Sequence, residues 1–202
     1  MASAPEKSTE TGPAWAEPSS NLAGREWSEA DYLALSTNAL VEYSNGSVEV
    51  LPMPTILHQL IALYLYRRLH AFAAEGGLGM VLAAPTRVRL RPGKFREPDV
   101  LFLRAENLGR CGEQFWEGAD LVMEVVSDEN RRHDLDTKRA EYAAAGIPEY
   151  WVVDPQEKRV MVLRLDGVEY VEHGAFGPGE AAGSALLPGF VVDVSAAFST
   201  RR

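Results

Sequence analysis

The chain has 202 residues, 46% hydrophobic and 24% charged, with a net charge of −9 and a single cysteine. This is the mix of an ordinary globular protein with core enough for one or two domains. Lone Cys111 excludes an internal disulfide and suggests a reducing compartment. No stretch approaches the roughly 18 consecutive apolar residues of a membrane span, and the first residues lack a signal peptide's apolar run. A cytoplasmic location without membrane attachment is expected. The acidic balance argues against a large basic footprint for nucleic acid. Two small basic clusters run against it: Arg87, Arg89, Arg91, Lys94 and Arg96, and Arg131, Arg132, Lys138 and Arg139. Clusters of this size are ordinarily solvated faces of a strand and a helix, but local basic patches are compatible with a negative total.

Residues 1–25, rich in Ser, Pro, Ala and Glu, predict a disordered tail before a single domain over 26–202. Ser28, with Asp31 three residues on, predicts a capped short helix ending near Asn38. LVEYSNGSVEVLPMP predicts two strands around Asn45-Gly46, the strongest short hairpin signal. From Thr55 to about Ala74, apolar residues recur with helical period until Gly76-Gly77. MVLAAP and TRVRLRP read as strands, the second with one polar face. PDVLFLR is a strand opening at Pro98, where a missing N–H is tolerated. A loop with Gly109, Gly112 and Gly118 leads to a strand over 120–127. RRHDLDTKRAEYAAAG then predicts a helix stopped by Gly146. PEYWVV and RVMVLRL are further strands, VEYVEH gives short ones, and FVVDV is the last convincing apolar piece. Helices alternate with strands in the middle and hairpins flank them, which predicts a mixed α/β domain rather than a regular βαβ series.

Three polar residues stand where a core would not place them. Glu124 interrupts the apolar run LVMEVVS, where an unpaired ionised group costs several kcal/mol. Asp99 opens the apolar strand before it. Lys138 lies on the helix after it. At about 100° per residue, Leu135 and Tyr142 define the face toward the sheet, with Lys138 roughly 40° from Tyr142 and Asp134 roughly 40° beyond. An ammonium is thereby aimed toward the strand of Glu124.

Two carboxylates at adjacent strand ends repel unless a cation intervenes. Hard oxygen ligands favour Mg²⁺ or Mn²⁺, and no Cys/His set has zinc spacing. Mg²⁺ binds through one or two carboxylates plus phosphate oxygens, so phosphate esters are the natural substrates. Taken singly, each residue has a plainer role: a turn aspartate, a strand-end glutamate reaching water, a snorkelling helix lysine.

Proline-aspartate, 24 residues, then Glu-x-Val, with a lysine on the following helix, resembles the PD-(D/E)XK nuclease superfamily, whose fold is restriction-endonuclease-like. More closely, the chain resembles the Uma-two family of "putative restriction endonucleases". The matching pieces are VEYSNGSVEVLPMPTILHQ, REPDVLFL, LVMEVVS and RRHDLDTKRAEYAAAGIPEYWVVDP. The resemblance implies an α/β fold in which a central mixed β-sheet is flanked by helices, with additional β-hairpins. It implies a metal-dependent endonuclease acting on DNA, with Mg²⁺ or Mn²⁺ as cofactor. Asp99 and Glu124 would be metal carboxylates, with the Val125 carbonyl as a further ligand. The superfamily's usual lysine position is Val126, so Lys138 would replace it from the helix. Glu42 and His58 match polar positions that would approach the metal and contact phosphate or water; their plainer roles are a solvent-facing strand residue and a helix histidine. Asp134 would pair with Lys138 one turn on. Where the family often has Ser-Pro, this chain has Ser127-Asp128. A homodimer is the commonest assembly for such a protein. Two other readings are a non-catalytic binding or oligomerisation module on the same fold, and a metal-dependent hydrolase of a small phosphorylated molecule.

Overall fold

The computed structural model describes residue 22 and residues 24–37, 39–127 and 131–199. The expected tail over 1–25 and Asp128 fall almost wholly outside these. Helix α1 (Glu29–Leu33) starts as read: the Ser28 hydroxyl accepts from the Asp31 amide at 3.0 Å, while the Asp31 carboxylate accepts from the Ser28 amide. It stops short of Asn38, because Ser36 and Thr37 carry side chains that compete with helical backbone bonds. The Thr37 hydroxyl accepts from the Ala39 amide at 3.2 Å.

Strands β1 (Val41–Ser44) and β2 (Ser47–Val50) form the expected hairpin. Asn45 and Gly46 turn it with φ of 47° and 90°, the double left-handed geometry that selects Asn-Gly. Helix α2 (Ile56–Gly76) is capped by the Thr55 hydroxyl and stopped by left-handed Gly77. Then follow β3 (Gly79–Ala83), β4 (Val88–Arg91), β5 (Lys94–Arg96) and β6 (Val100–Arg104). A 3₁₀ turn at Ala105–Arg110 and β7 (Trp116–Glu117) occupy the glycine-marked loop before β8 (Leu121–Val125). A π-helical turn at His133–Thr137 runs into α3 (Lys138–Ala144), and left-handed Gly146 ends it. The long strands β9 (Glu149–Asp154), β10 (Arg159–Asp166) and β11 (Glu169–Phe176) follow. The hairpin β12 (Ala181–Gly183) and β13 (Val191–Asp193) and helix α4 (Val194–Phe198) close the described chain. FVVDV therefore breaks between a strand and a helix, because Asp193 caps α4 through the Ala196 amide at 2.9 Å.

The main sheet has six strands in the order β11-β10-β9-β8-β6-β3, with β8 and β9 parallel and the other pairs antiparallel. Its side-chain alternation serves two cores. Met123 and Val125 face α2, where Ile61, Leu65 and Leu69 pack with Phe102, Trp151 and Phe190. Val122 and Val126 face α3, where Tyr142 and Ala143 pack with Leu101, Tyr150 and Leu163. By period 2, Glu124 belongs to the α3 face. A second sheet, β2-β1-β5-β4-β7, forms a smaller core with α1 from Tyr32, Tyr43 and Phe95. Residues 97–99 carry the chain from β5 of this sheet to β6 of the main one.

The basic cluster over 87–96 is not a solvated face. Strand β5 buries Lys94 and Arg96, and their partners are Glu42 on β1 and Glu141 on α3. Arg89 pairs with Glu29 and Glu117, and Arg87 lies over the Tyr32 ring and near Glu97. These cations tie the strands of the second sheet to one another and to α1 and α3. Arg131 is likewise held by Asp154, at 3.0 Å. The local basic patches that the sequence left open are thus largely consumed inside the fold.

Candidate active site

Asp99 and Glu124 come together by strand pairing. Val100 pairs with Met123 across the antiparallel β6–β8 ladder. One step further in the same register sets Asp99 opposite Glu124 on the same face. The Asp99 carboxylate accepts from the Val125 amide at 2.7 Å, which pins it to the end of β8. His58, in the first turn of α2, places Nε2 3.3 Å from the same Asp99 oxygen. Burial opposes charge on the imidazole, but the Asp99 hydrogen bond, the Asp99 and Glu124 carboxylates and the Val125 backbone outweigh it and raise its pKa.

Glu124 is buried among Val122, Val126 and the α3 side chains, so it needs donors. Lys138 Nζ donates to Oε2 at 2.9 Å and the Tyr142 hydroxyl to Oε1 at 2.5 Å. Asp134 Oδ1 lies 3.2 Å from Lys138 Nζ, and its other oxygen accepts from the Ser127 amide at 3.2 Å. Asp134, Lys138 and Tyr142, at i, i+4 and i+8, form one buried stripe. The even 100° spacing assumed from sequence placed Asp134 and Lys138 beside the inward arc and Leu135 within it. The π-helical turn changes the phase, so the two charged residues point inward and Leu135 is only half-buried.

Burial pushes the Glu124 carboxyl up against the pull of Lys138, with Asp99 and Asp134 adding to the rise. Burial lowers the Lys138 ammonium, but Glu124, Glu42, Asp134 and Asp99 outweigh it and hold it well above its ordinary value. Lys138 is therefore charged, and the acidic groups around it outnumber the cations.

Glu42 is not solvent-facing. It is fully buried, paired with Arg96, and accepts from the Glu97 amide at 3.3 Å, with Lys138 Nζ 4.0 Å from Oε1. It faces Glu49 across the hairpin, and the Arg96 guanidinium reaches both carboxylates. Glu42, Glu49 and His133 form the one group among the described residues whose metal-capable atoms all lie within 4.8 Å. Arg96 already supplies that group with a cation.

All five residues singled out from sequence thus meet in one neighbourhood. Asp99, Glu124, Lys138 and His58 line a single cleft of about 330 Å³, and Glu42 backs Lys138 from behind. Asp134 pairs with Lys138 as expected, and Arg96, Glu97 and Tyr142, which the sequence reading did not assign there, complete the network. Glu97 lines the cleft with Oε2 buried and without a hydrogen-bond partner, and burial pushes its carboxyl up to about 7. A signal for Tyr142 was present: it stands one turn past Lys138 on the inward face, and a buried tyrosine hydroxyl needs a partner.

The donor set at the β6–β8 end fits a hard divalent cation. Two carboxylates converge with the backbone at Val125, all oxygen ligands, and the acidic groups exceed the cations beside them. Lys138 and Tyr142 take one contact each on Glu124, leaving lone pairs on both oxygens.

A model of the family described as "Putative restriction endonuclease", Uma2, matches residues 29–195. Among solved structures, the chain is similar to a "putative nuclease belonging to DUF820" from Anabaena variabilis, with 17% identity, a TM-score of 0.71, and coverage of 86% of this chain and 98% of that one. That likeness shows the shared restriction-endonuclease-like fold. No curated protein matches the chain. With the family match spanning both sheets, α2, α3 and every residue of the cleft floor, the chain belongs to the Uma2 family.

Proposed function

We propose that the protein is a divalent-metal-dependent nuclease that hydrolyses phosphodiester bonds in DNA, with Mg²⁺ or Mn²⁺ held by Asp99, Glu124 and the Val125 carbonyl. One observation carries this reading. Asp99 and Glu124 oppose each other at the end of the β6–β8 pair, at the floor of a cleft, with the Lys138 ammonium 2.9 Å from Glu124. When bound, the cation supplies Lewis acidity, acidifying a water and screening phosphate charge. Lys138 orients the attacking water and neutralises charge that grows on the phosphoryl oxygens. His58 fixes the Asp99 carboxylate and presents its ring edge to phosphate or water. Glu42, with Arg96 behind it, holds Lys138 in place. Water adds to phosphorus, the P–O bond to the leaving nucleotide breaks, and the proton passes to the leaving oxygen.

The Tyr142 and Lys138 contacts, one on each Glu124 oxygen, favour a second reading, a non-catalytic module on the same fold. Calorimetric titration with Mn²⁺ separates the two. The nuclease reading expects a site that Asp99→Asn and Glu124→Gln each abolish, together with Mn²⁺-dependent cleavage of DNA. Equal metal binding by these variants, or failure to cleave any form of DNA, would sink it.

A further inference from the structure

The cleft above Asp99 and Glu124 has two chemically different halves. Its floor is ionic. One wall is apolar: Leu40, Leu51, Pro52, Met53, Pro54 and Leu57 line it. At its lip, in the segment between β2 and α2, Met53 is 86% exposed. Large apolar side chains held out in water beside a polar site mark a binding surface. They do nothing for a phosphate backbone, which is recognised by cations and N–H donors. They match the apolar face of a base that has left its stack, as Met, Leu and Pro side chains pack on the base faces that open where a step is parted.

Size and burial point the same way. At about 330 Å³ the cleft lies at the small end of ligand pockets, which run from about 300 Å³ upward. That admits a nucleotide unit and not a double helix. The reacting groups are recessed, with Glu124 3% and Lys138 5% exposed, so the scissile bond must enter the cleft to meet them. Lys138 is the one lysine or arginine among the described residues lining it, and it is held by Glu124 and Asp134. Phosphate–cation contacts are therefore few for either form of DNA, and the apolar wall and the recessed floor must distinguish the two.

We propose that the cleft takes an unpaired nucleotide, so that the substrate class is single-stranded DNA, with Met53 and the apolar wall beside it receiving the base face next to the bond placed over Asp99 and Glu124. This inference rests on the nuclease reading above and narrows its substrate. A bond in paired DNA would be reached only after its nucleotide leaves the stack, a cost of a few kcal/mol that a single strand avoids.

The test uses the full chain with Ca²⁺, to hold turnover down, and fluorescence anisotropy of one labelled strand, alone and annealed into a blunt duplex. The single strand is expected to bind at least about tenfold tighter. The Met53→Ser variant is expected to lose about tenfold on the single strand, the scale of burying one apolar side chain, with its melting temperature unchanged. Equal affinity for the two forms overturns the proposal, as does a variant that binds the single strand like the parent. A variant that only converts a dimer to a monomer in light scattering also overturns it, since the lip is then a self-interface. If Asp99→Asn and Glu124→Gln abolish Mn²⁺ binding yet single strand and duplex bind alike, this inference alone falls. If those variants leave metal binding intact and neither form binds, the nuclease reading falls with it.

Discussion

Lys138 and Glu124 face each other across the α3–β8 interface with Nζ 2.9 Å from Oε2 and side chains 6% and 3% exposed. A buried ion pair is a weak source of stability, because desolvation offsets most of the attraction. Removing one partner is different, since the other is left buried and uncompensated. Lys138→Met should therefore destabilise the protein by about 3–5 kcal/mol in urea unfolding. Lys138→Met combined with Glu124→Gln should cost less than the sum of the single changes, because the double variant leaves no orphan charge. An additive double variant would show that the two side chains do not act as a pair.

Glu149, in the strand read from PEYWVV, makes a second prediction. Its carboxylate is fully buried at the start of β9 and accepts four hydrogen bonds. They come from Trp151 Nε1 at 2.7 Å, the Ser184 hydroxyl at 2.6 Å, and the Ala185 and Leu186 amides at 2.6 and 2.7 Å. The carboxylate thereby clamps the loop between β12 and β13 to the main sheet. Charge-assisted bonds are roughly twice as strong as neutral ones. Glu149→Ala should cost about 3 kcal/mol or more and Glu149→Gln less. Hydrogen exchange at Ala185 and Leu186 should speed up in both variants before global unfolding does. Unchanged protection of those amides would count against the clamp.

These two glutamates differ in how far sequence could reveal them. Glu124 sits in the middle of a run of apolar residues, where a charge conflicts with every neighbour, so the conflict itself marked it. Glu149 stands at a strand start after Pro148, a position compatible with water, and its partners other than Trp151 lie 35 to 37 residues away along the chain. Lys138 was legible through helical period, though the π-helical turn before it was not, because no residue type encodes that turn. Glu42 and His58 were reached by resemblance alone. Arg96 and Lys94 were misread as a solvated cluster: β5 spans three residues, too short for a period of 2 to show burial, and their partners Glu42 and Glu141 come from other elements.

The same buried cations set an acid dependence. Burial raises the Glu141 carboxyl, but the hydrogen bonds from Arg96 and Lys94 outweigh it and hold it below its ordinary 4.5. Burial likewise raises Asp154, and Arg131 with the Glu157 and Gln156 amides brings it below 3.8. With folded values depressed, the unfolded chain binds more protons in the interval, so stability there rises with pH. The contribution is complete above the unfolded values and is lost as pH falls through the folded ones. Urea midpoints should drop below about pH 4.5, and a Glu141→Gln/Asp154→Asn variant, weaker at neutral pH, should show a shallower drop. An identical acid limb in that variant would remove these two groups as its source.

Gly79 supplies a prediction free of charge effects. It opens β3, the edge strand beside β6, with φ of 151°, and a Cβ at this position would lie 2.0 Å from the Leu103 carbonyl oxygen and 2.9 Å from the Arg104 Cα. Both obstacles are backbone atoms of the paired strand, so no rotamer change relieves them, and the backbone conformation is itself one that a side chain disfavours. Gly79→Ala must push β3 away from β6 at the end where the Ala105 amide donates to the Leu78 carbonyl at 2.8 Å. Overpacking of this kind costs about 1–3 kcal/mol, and the φ requirement adds to it. The loss should appear as a lower urea midpoint with faster exchange of the Ala105 amide. Mn²⁺ binding at the far end of β6, where Asp99 precedes the strand, should be unchanged. A variant as stable as the parent would mean that the β3 edge has room to shift, whereas loss of metal binding would mean that strain at one end of β6 reaches Asp99 at the other.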